Sequence, residues 1–242
     1  MKLKAKAYLR IAAKDWRKKY NSVWSFSEGL AGVELDDRHG YVDKTGNEVI
    51  PPKYDEVGDF SGGHAQVRLG DKWSFVNKTG KEYDYVERIF FEGLTRVEFD
   101  GKWGFIDQLG EEVIPLNYDA VGIFFGGLAG VKRDDKWGFI DKQDNIVIEL
   151  KYDFVGDFHY RDGLARVQLD GKWGFIDKQD NIVIELKYDW VGDFDRRTGL
   201  APVKHRGKEG FMDKKGKKYW GMTEDEAQQK LEARRKSYRE AF

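Results

Sequence analysis

KWGFIDKQDNIVIELKYD, residues 136–153, recurs letter for letter as residues 172–189. Looser copies stand upstream: GKWGFIDQLGEEVIP at 101–115 and DKWSFVNKTGKEY at 71–83. A period kept this closely marks a repeat architecture, and it settles the kind of fold before any single segment is read. Aligned on the tryptophan, the copies fall at His39, Trp73, Trp103, Trp137, Trp173 and Glu209, at spacings of 34, 30, 34, 36 and 36. Each opens on a variant of Y-D-x-V-G-x-F, at Tyr20, Tyr54, Tyr83, Tyr118, Tyr152 and Tyr188, and most continue through G-L-A-x-V. Six modules therefore fit between Tyr20 and Lys218, at about 20–53, 54–82, 83–117, 118–151, 152–187 and 188–218.

Inside a module the period is two. Ala31, Val33 and Leu35 alternate with polar neighbours, as do Ala165, Val167 and Leu169, which is the pattern of a half-buried strand. Asp100-Gly101 and Asp170-Gly171 follow, a dipeptide favoured in two-residue hairpins. The K-W-G-F-I-D strand comes next, then a second turn, Asp43–Gly46 or Asp213–Gly216, in which Asp144-Asn145 and Asp180-Asn181 take the glycine's place in the twinned modules. A short V-I-P or V-I-E strand completes an expected three-stranded meander, with Pro51 and Pro115 marking strand ends. The expected fold is all-β: six such meanders in an open, solenoid-like array, with a closed six-bladed propeller as the alternative. The period of 30–36 residues is shorter than the roughly 40–50 of propeller blades, which favours the open array.

Both ends read as helices. Residues 1–19 place Ala5, Tyr8, Leu9, Ala12, Ala13, Trp16 and Tyr20 on one side and Lys6, Arg10, Lys14, Arg17 and Lys18 on the other. The reading preferred is a cap over the first module; a docking helix for a partner or an acidic surface, or a targeting segment, are the alternatives. At the other end, residues 219–242 should form a capping helix. Thr223-Glu-Asp-Glu226 is a capping box, and Ala227, Leu231, Tyr238 and Phe242 form one apolar side.

Composition narrows the function classes. Net charge is −1 over 242 residues, so nucleic acid is not an expected partner. The balance is uneven, since residues 1–19 carry eight Lys/Arg against Asp15. Without cysteine there are no disulfides or thiolate metal sites, and a cytoplasmic location is the default. No apolar run is long enough for a transmembrane segment.

K-W-G-F-I-D, G-L-A-x-V and Y-D-x-V-G-x-F, phased through six copies over about 20–218, resemble the WG-repeat family of tandem β-repeats, known mainly from bacteria. His39 and Glu209 depart from it at the tryptophan, and Ser74 at the glycine. The resemblance implies a repeat fold and a binding or scaffolding role, and supplies no catalytic motif.

The repeated Trp and Phe are expected in the core, since every module keeps them. Recognition is expected instead at positions that vary. The x of Y-D-x-V reads Ser22, Glu56, Tyr85, Ala120, Phe154, Trp190, and the x of L-A-x-V reads Gly32, Gln66, Arg96, Gly130, Arg166, Pro202. Aromatic and arginine side chains are enriched at binding hot spots, so Phe154, Trp190, Arg96 and Arg166, with Trp16 from the N-terminal segment, are the candidate partner-binding residues. His39, His64, His159 and His205 are dispersed, with no metal-ligand spacing, and the repeated aspartates fall in turns. No cofactor, metal or catalysis is expected. The reading is a non-catalytic protein-binding scaffold, or a subunit of a larger assembly, with a carbohydrate or cell-envelope binder as its rival.

Overall fold

The computed structural model describes residues 16–158 and 163–240, with side chains through 237. Six open, four-stranded antiparallel sheets follow one another along the chain. The fifth shows the pattern: Phe154–Val155, Ala165–Leu169, Lys172–Ile176 and Ile182–Tyr188, hydrogen-bonded in that order. Four strands replace the three expected. The added one is the x-V of Y-D-x-V, where Phe154 pairs with Gln168 and Val155 with Val167. Two residues are too few to show an alternation, so the strand is silent in the sequence. From Tyr54 onward each module's tyrosine closes the fourth strand of the sheet before it, as Tyr54 does in Glu48–Tyr54, and the aspartate after it breaks to the next.

The turns follow their chemistry. Asp170 and Gly171 both hold positive φ, 51° and 71°, the geometry of a type I′ hairpin turn whose twist matches its strands. Asp144 and Asp180 stand at φ 64° and 65° where other modules use Gly46 or Gly216. Pro51 and Pro115 do not mark strand ends. They lie inside the fourth strands Glu48–Tyr54 and Glu112–Tyr118, tolerated because these are edge strands whose register shifts next to the proline in the first sheet.

The chain divides into two compact units, residues 1–117 and 118–242. In the first, Tyr41, Ile50 and Tyr54 of the first sheet pack on Ala65, Val67 and Val76 of the second, and Tyr83, Val86, Val97 and Ile106 join the second to the third. Residues 1–15, and with them most of the helix expected at 1–19, lie outside the described residues. The described part, Trp16–Lys19, is one 3-10 turn. Trp16 and Tyr20 pack there over Ala31, Val33 and Val42, the outer face of the first sheet.

In the second unit, Phe139, Ile148 and Tyr152 meet Ala165, Val167 and Ile176. One repeat on, Phe175, Ile184 and Tyr188 meet Val191, Ala201, Val203 and Met212. The last sheet's outer face, Leu200 and Tyr219, is covered by Ala227 and Leu231 of the helix Glu224–Glu240. Its capping box is formed: Glu226 Oε2 accepts from Thr223 N at 2.9 Å, and Glu226 N donates to Thr223 Oγ1 at 3.4 Å. Both sheet faces are therefore used for stacking, and the repeated tryptophan is not part of that core. Trp73 is 47% exposed, and Trp137 and Trp173 are half-buried at the rim of their clusters. The buried aromatic is the phenylalanine two positions on, Phe105, Phe139 or Phe175.

Candidate functional site

Polar contacts tie each sheet to the next. Tyr54 Oη donates to Glu82 Oε1 at 2.6 Å while Lys53 Nζ holds the same oxygen at 2.8 Å. Lys19 and Tyr20 do this to Glu48 at 2.6 and 2.8 Å, while Lys151 and Tyr152 take separate oxygens of Asp180, Oδ2 and Oδ1. Burial and the neighbouring carboxylate push the Tyr20 phenol up to about 12 and the Tyr54 phenol higher still. The lysine, then the tyrosine, holds Glu48 and Glu82 below the usual carboxylate range. The acid changes place along the chain. It begins the fourth strand in Glu48 and Glu82, but in the fifth sheet Asp180 in the turn supplies it and Ile182 stands in the strand.

The other repeated acids are occupied as well. Asp141 Oδ1 accepts from the backbone N–H groups of Gln143 and Asn145, both at 2.9 Å, and Asp177 repeats the arrangement. The side-chain amides of Asn145 and Asn181, which donate to the other carboxylate oxygen, and then these backbone bonds hold both carboxyls below their ordinary range. Asp153 takes Lys136 at 2.6 Å, and Asp189 takes Lys172 at 2.8 Å. Among the described residues, no group of three or more His, Asp or Glu is arranged to hold a metal ion.

A concave surface in the second unit holds candidate residues. It is a groove of about 480 Å³ whose lining includes Gly130, Trp137, Phe154, Asp157, Arg166 and Asp193. Two of the residues expected from sequence, Phe154 and Arg166, come together here. Phe154 lies between two tryptophans, its ring centre 6.3 Å from that of Trp137 and 5.3 Å from that of Trp173. The Arg166 guanidinium carbon sits 5.5 Å from the Phe154 ring centre and 5.6 Å from that of Trp173. Its Nε is 3.1 Å from Asp193 Oδ1, a contact without the alignment of a hydrogen bond. One terminal nitrogen donates to the Val191 carbonyl at 3.3 Å.

The other three candidates lie elsewhere. Trp190, 43% exposed, lines a separate hollow with Pro202, Lys204, Glu209 and Met222. Arg96, in the first unit, is bound fork-to-fork by Glu87 at 2.8 and 2.9 Å. Trp16 lies against Gly46 and forms part of the first sheet's cover. The residues missed by sequence reasoning are Trp137, Asp157 and Asp193. The tryptophan was assigned to the core because it recurs, although its absence from both outer modules distinguishes it from the recurring phenylalanine and tyrosine. The aspartates carry no signal, because acids are abundant throughout. The same position is hollow in the first unit, where Gly58, His64, Gln66, Phe75 and Arg88 line about 450 Å³. Burial there pulls the His64 imidazole below its usual range.

Comparison with curated proteins finds no match. Among solved structures the chain is similar to one of the eukaryotic initiation factor, with 10% identity, a TM-score of 0.38, and 82% of this chain against 64% of that one. It is similar to the extracellular domain of BT4673 from B. thetaiotaomicron at 10% identity and a TM-score of 0.38, over 83% of this chain and 34% of that one. It is also similar to Kluyvelomyces marxianus Hsv2 at 8% identity and a TM-score of 0.40, over 80% and 73% of the two chains. The chain thus spans less than two thirds of the first two, and likenesses at these scores carry no argument about what it does. A family model described as WG containing repeat matches six times, at residues 18–38, 40–73, 74–103, 103–137, 137–173 and 173–208. Those matches cover most of the chain, and with the six sheets they show that it belongs to the WG containing repeat family.

Proposed function

We propose that this repeat protein is a non-catalytic protein-binding scaffold and that the groove of its second unit is a contact site. One observation carries the reading. The residues that every module needs, such as Phe139, Phe175, Tyr152 and Tyr188, are buried between sheets, while the variable Phe154 and Arg166 open into a single groove. An array that separates its framework from its variable positions can change partner without losing its fold. The groove's contents, half-buried aromatic rings beside arginine, are those that dominate protein interfaces. The repeated acids support the absence of catalysis, since turns and ion pairs already hold them.

The test is a native pull-down with the intact chain and with Phe154→Ala, followed by reconstitution with the purified partner. A stoichiometric protein held by the wild type and released by the variant, at unchanged melting temperature, is the expected result. Trp137 and Phe154 beside Asp157 and Asp193 also favour a second reading, a carbohydrate stacked on the rings. Saturable binding on a glycan array, with no protein partner retained, would put that reading first.

A further inference from the structure

We propose that the joint between the fifth and sixth sheets, where Tyr188, Lys187 and Lys218 stand beside Gly216, takes a carboxylate from outside the chain, the aspartate or glutamate side chain of a partner protein. This adds a second contact to the scaffold reading and does not rest on the groove.

At the earlier joints the acid comes from the chain itself. Tyr20 holds Glu48 and Tyr54 holds Glu82, each beside a lysine. Tyr118 Oη donates to Asp144 Oδ1 at 2.7 Å, and Tyr152 Oη to Asp180 Oδ1 at 2.6 Å, with Lys151 on the other oxygen. At the module of Tyr83 the acid is Glu112, paired with Lys81. Each of these acids stands three or five positions after the residue that opens its turn: Asp43, Asn77, Asp107, Asp141 or Asp177. After Asp213 the same two positions are Gly216 and Lys218. The sixth module alone brings a cation where an acid stands in the others.

The receiving side is intact all the same. Lys187 and Tyr188 repeat Lys151 and Tyr152. Tyr188 is 1% exposed, and among the described residues its hydroxyl makes no hydrogen bond. The ammonium groups of Lys187 and Lys218 each stand 6.0 Å from its ring centre. Lys187 pairs instead with Glu185 on its own strand, whose side chain is 73% exposed, and a pair so open to water contributes little.

The place of the missing acid is open. A β-carbon on Gly216, where Asp180 carries its carboxylate one module earlier, would meet nothing within 4 Å. The other glycines of this turn are covered, Gly46 by the Trp16 ring, Gly80 by Ile50 and Gly110 by the backbone of Gly63. Backbone conformation matches too, with φ 75° at Gly216 and 65° at Asp180. Two ammonium groups and a phenol hydroxyl beside open space suit an anion held by charge-assisted hydrogen bonds. A carboxylate is favoured because the same lysine and tyrosine hold one at Asp180. Lys214, Lys215 and Lys217 in the turn add to the field that draws it in.

The experiment titrates the full chain with acetylated, amidated Gly-Asp-Gly and Gly-Asn-Gly, following the ring resonances of Tyr188. The aspartate peptide should shift them saturably, and the asparagine peptide, of the same shape but uncharged, should bind at least about tenfold more weakly. Gly216→Asp supplies the acid from within and should abolish the response at an unchanged or higher melting temperature. Should that variant fail to fold, Lys187→Gln removes one surface cation and should weaken the aspartate peptide alone. Equal binding of the two peptides, no saturable shift, or a folded Gly216→Asp that still responds overturns the proposal. So does tighter binding of inorganic phosphate, which would make this a general anion site, or a dimer that Gly216→Asp dissolves, which would make the occupant a second copy. Phe154→Ala should leave the peptide response unchanged. A partner lost with Phe154 and no response at Tyr188 sinks this inference alone; a response at Tyr188 with no partner at the groove sinks the groove reading alone.

Discussion

Gly174 lies beneath the carbonyl of Ile184: a β-carbon on the glycine would stand 2.4 Å from that oxygen. The glycine has no positive φ, so the space is what requires it. Its counterparts Gly40, Gly104 and Gly138 face the carbonyls of Ile50, Ile114 and Ile148 at the same 2.4 Å. The fourth strand crosses here at a register shift, between the pairs Trp173–Tyr188 and Phe175–Ile184. In the second sheet the fourth strand is only Glu82–Tyr83, paired with Val76 and Phe75. Ser74 takes the glycine's place in that module, the one with the shortest spacing. Gly174→Ser should cost about 1–3 kcal/mol through overpacking, and Ser74→Gly should cost well under that. Denaturant titration of the two variants makes the comparison.

Burial separates the two recurring aromatics. Phe139→Ala removes a fully buried ring and should destabilise by about 3–5 kcal/mol. Trp173→Ala, at the rim, should cost clearly less although the side chain is larger. Equal losses in matched unfolding experiments would return the tryptophan to the core.

The Tyr54–Lys53–Glu82 contact gives a pH signature with a definite sign. Its lysine and tyrosine hold Glu82 below its unfolded value, so the stabilisation is present at neutral pH and is lost as pH falls through the acid range below about 4.3. Glu82→Gln should flatten the acid limb of a melting-temperature profile. The Tyr54 phenol is displaced the other way. It stabilises below its unfolded value near 10, and stability should decline as pH rises beyond it. Tyr54→Phe, removing a hydrogen bond to a charged group, should cost about 1–3 kcal/mol at neutral pH.

Trp16 divides the N-terminal segment. Deleting residues 1–19 removes its ring from the face formed by Ala31, Val33 and Val42, and the protein should melt earlier at any salt concentration. Deleting 1–15 keeps that ring in place. A melting temperature unchanged by the longer deletion would show that Trp16 contributes nothing to the first sheet.

Repetition made much of this legible, though not which side of the pattern faces inward. The hairpin turns follow from Asp170-Gly171 and its copies, because a positive φ at two successive positions restricts the residue types. The first strand is not legible in the sequence, since Phe154-Val155 is too short to display an alternation. Recurrence alone does not place Trp137, because a residue can recur without being buried. It recurs at the rim, half-covered and beside the groove. Phe154 and Arg166 could be singled out because they differ between modules. That Arg166 points back onto Phe154 and Trp173 depends on how one sheet lies on the next, and nothing in a single module encodes it.

Asp180 serves Tyr152, and it belongs to a stretch that the fourth and fifth modules share letter for letter. The fifth module therefore offers its successor the same lysine and tyrosine that it meets in its predecessor. A further copy placed after it would find Lys187 and Tyr188 where Lys151 and Tyr152 stand, ready for its own aspartate. The sixth module, with Gly216 and Lys218 where the others keep an acid, could not stand in for that copy. Variation by whole modules thus keeps this polar contact at one joint of the chain, where replication slippage could lengthen or shorten the gene without asking selection to rebuild it.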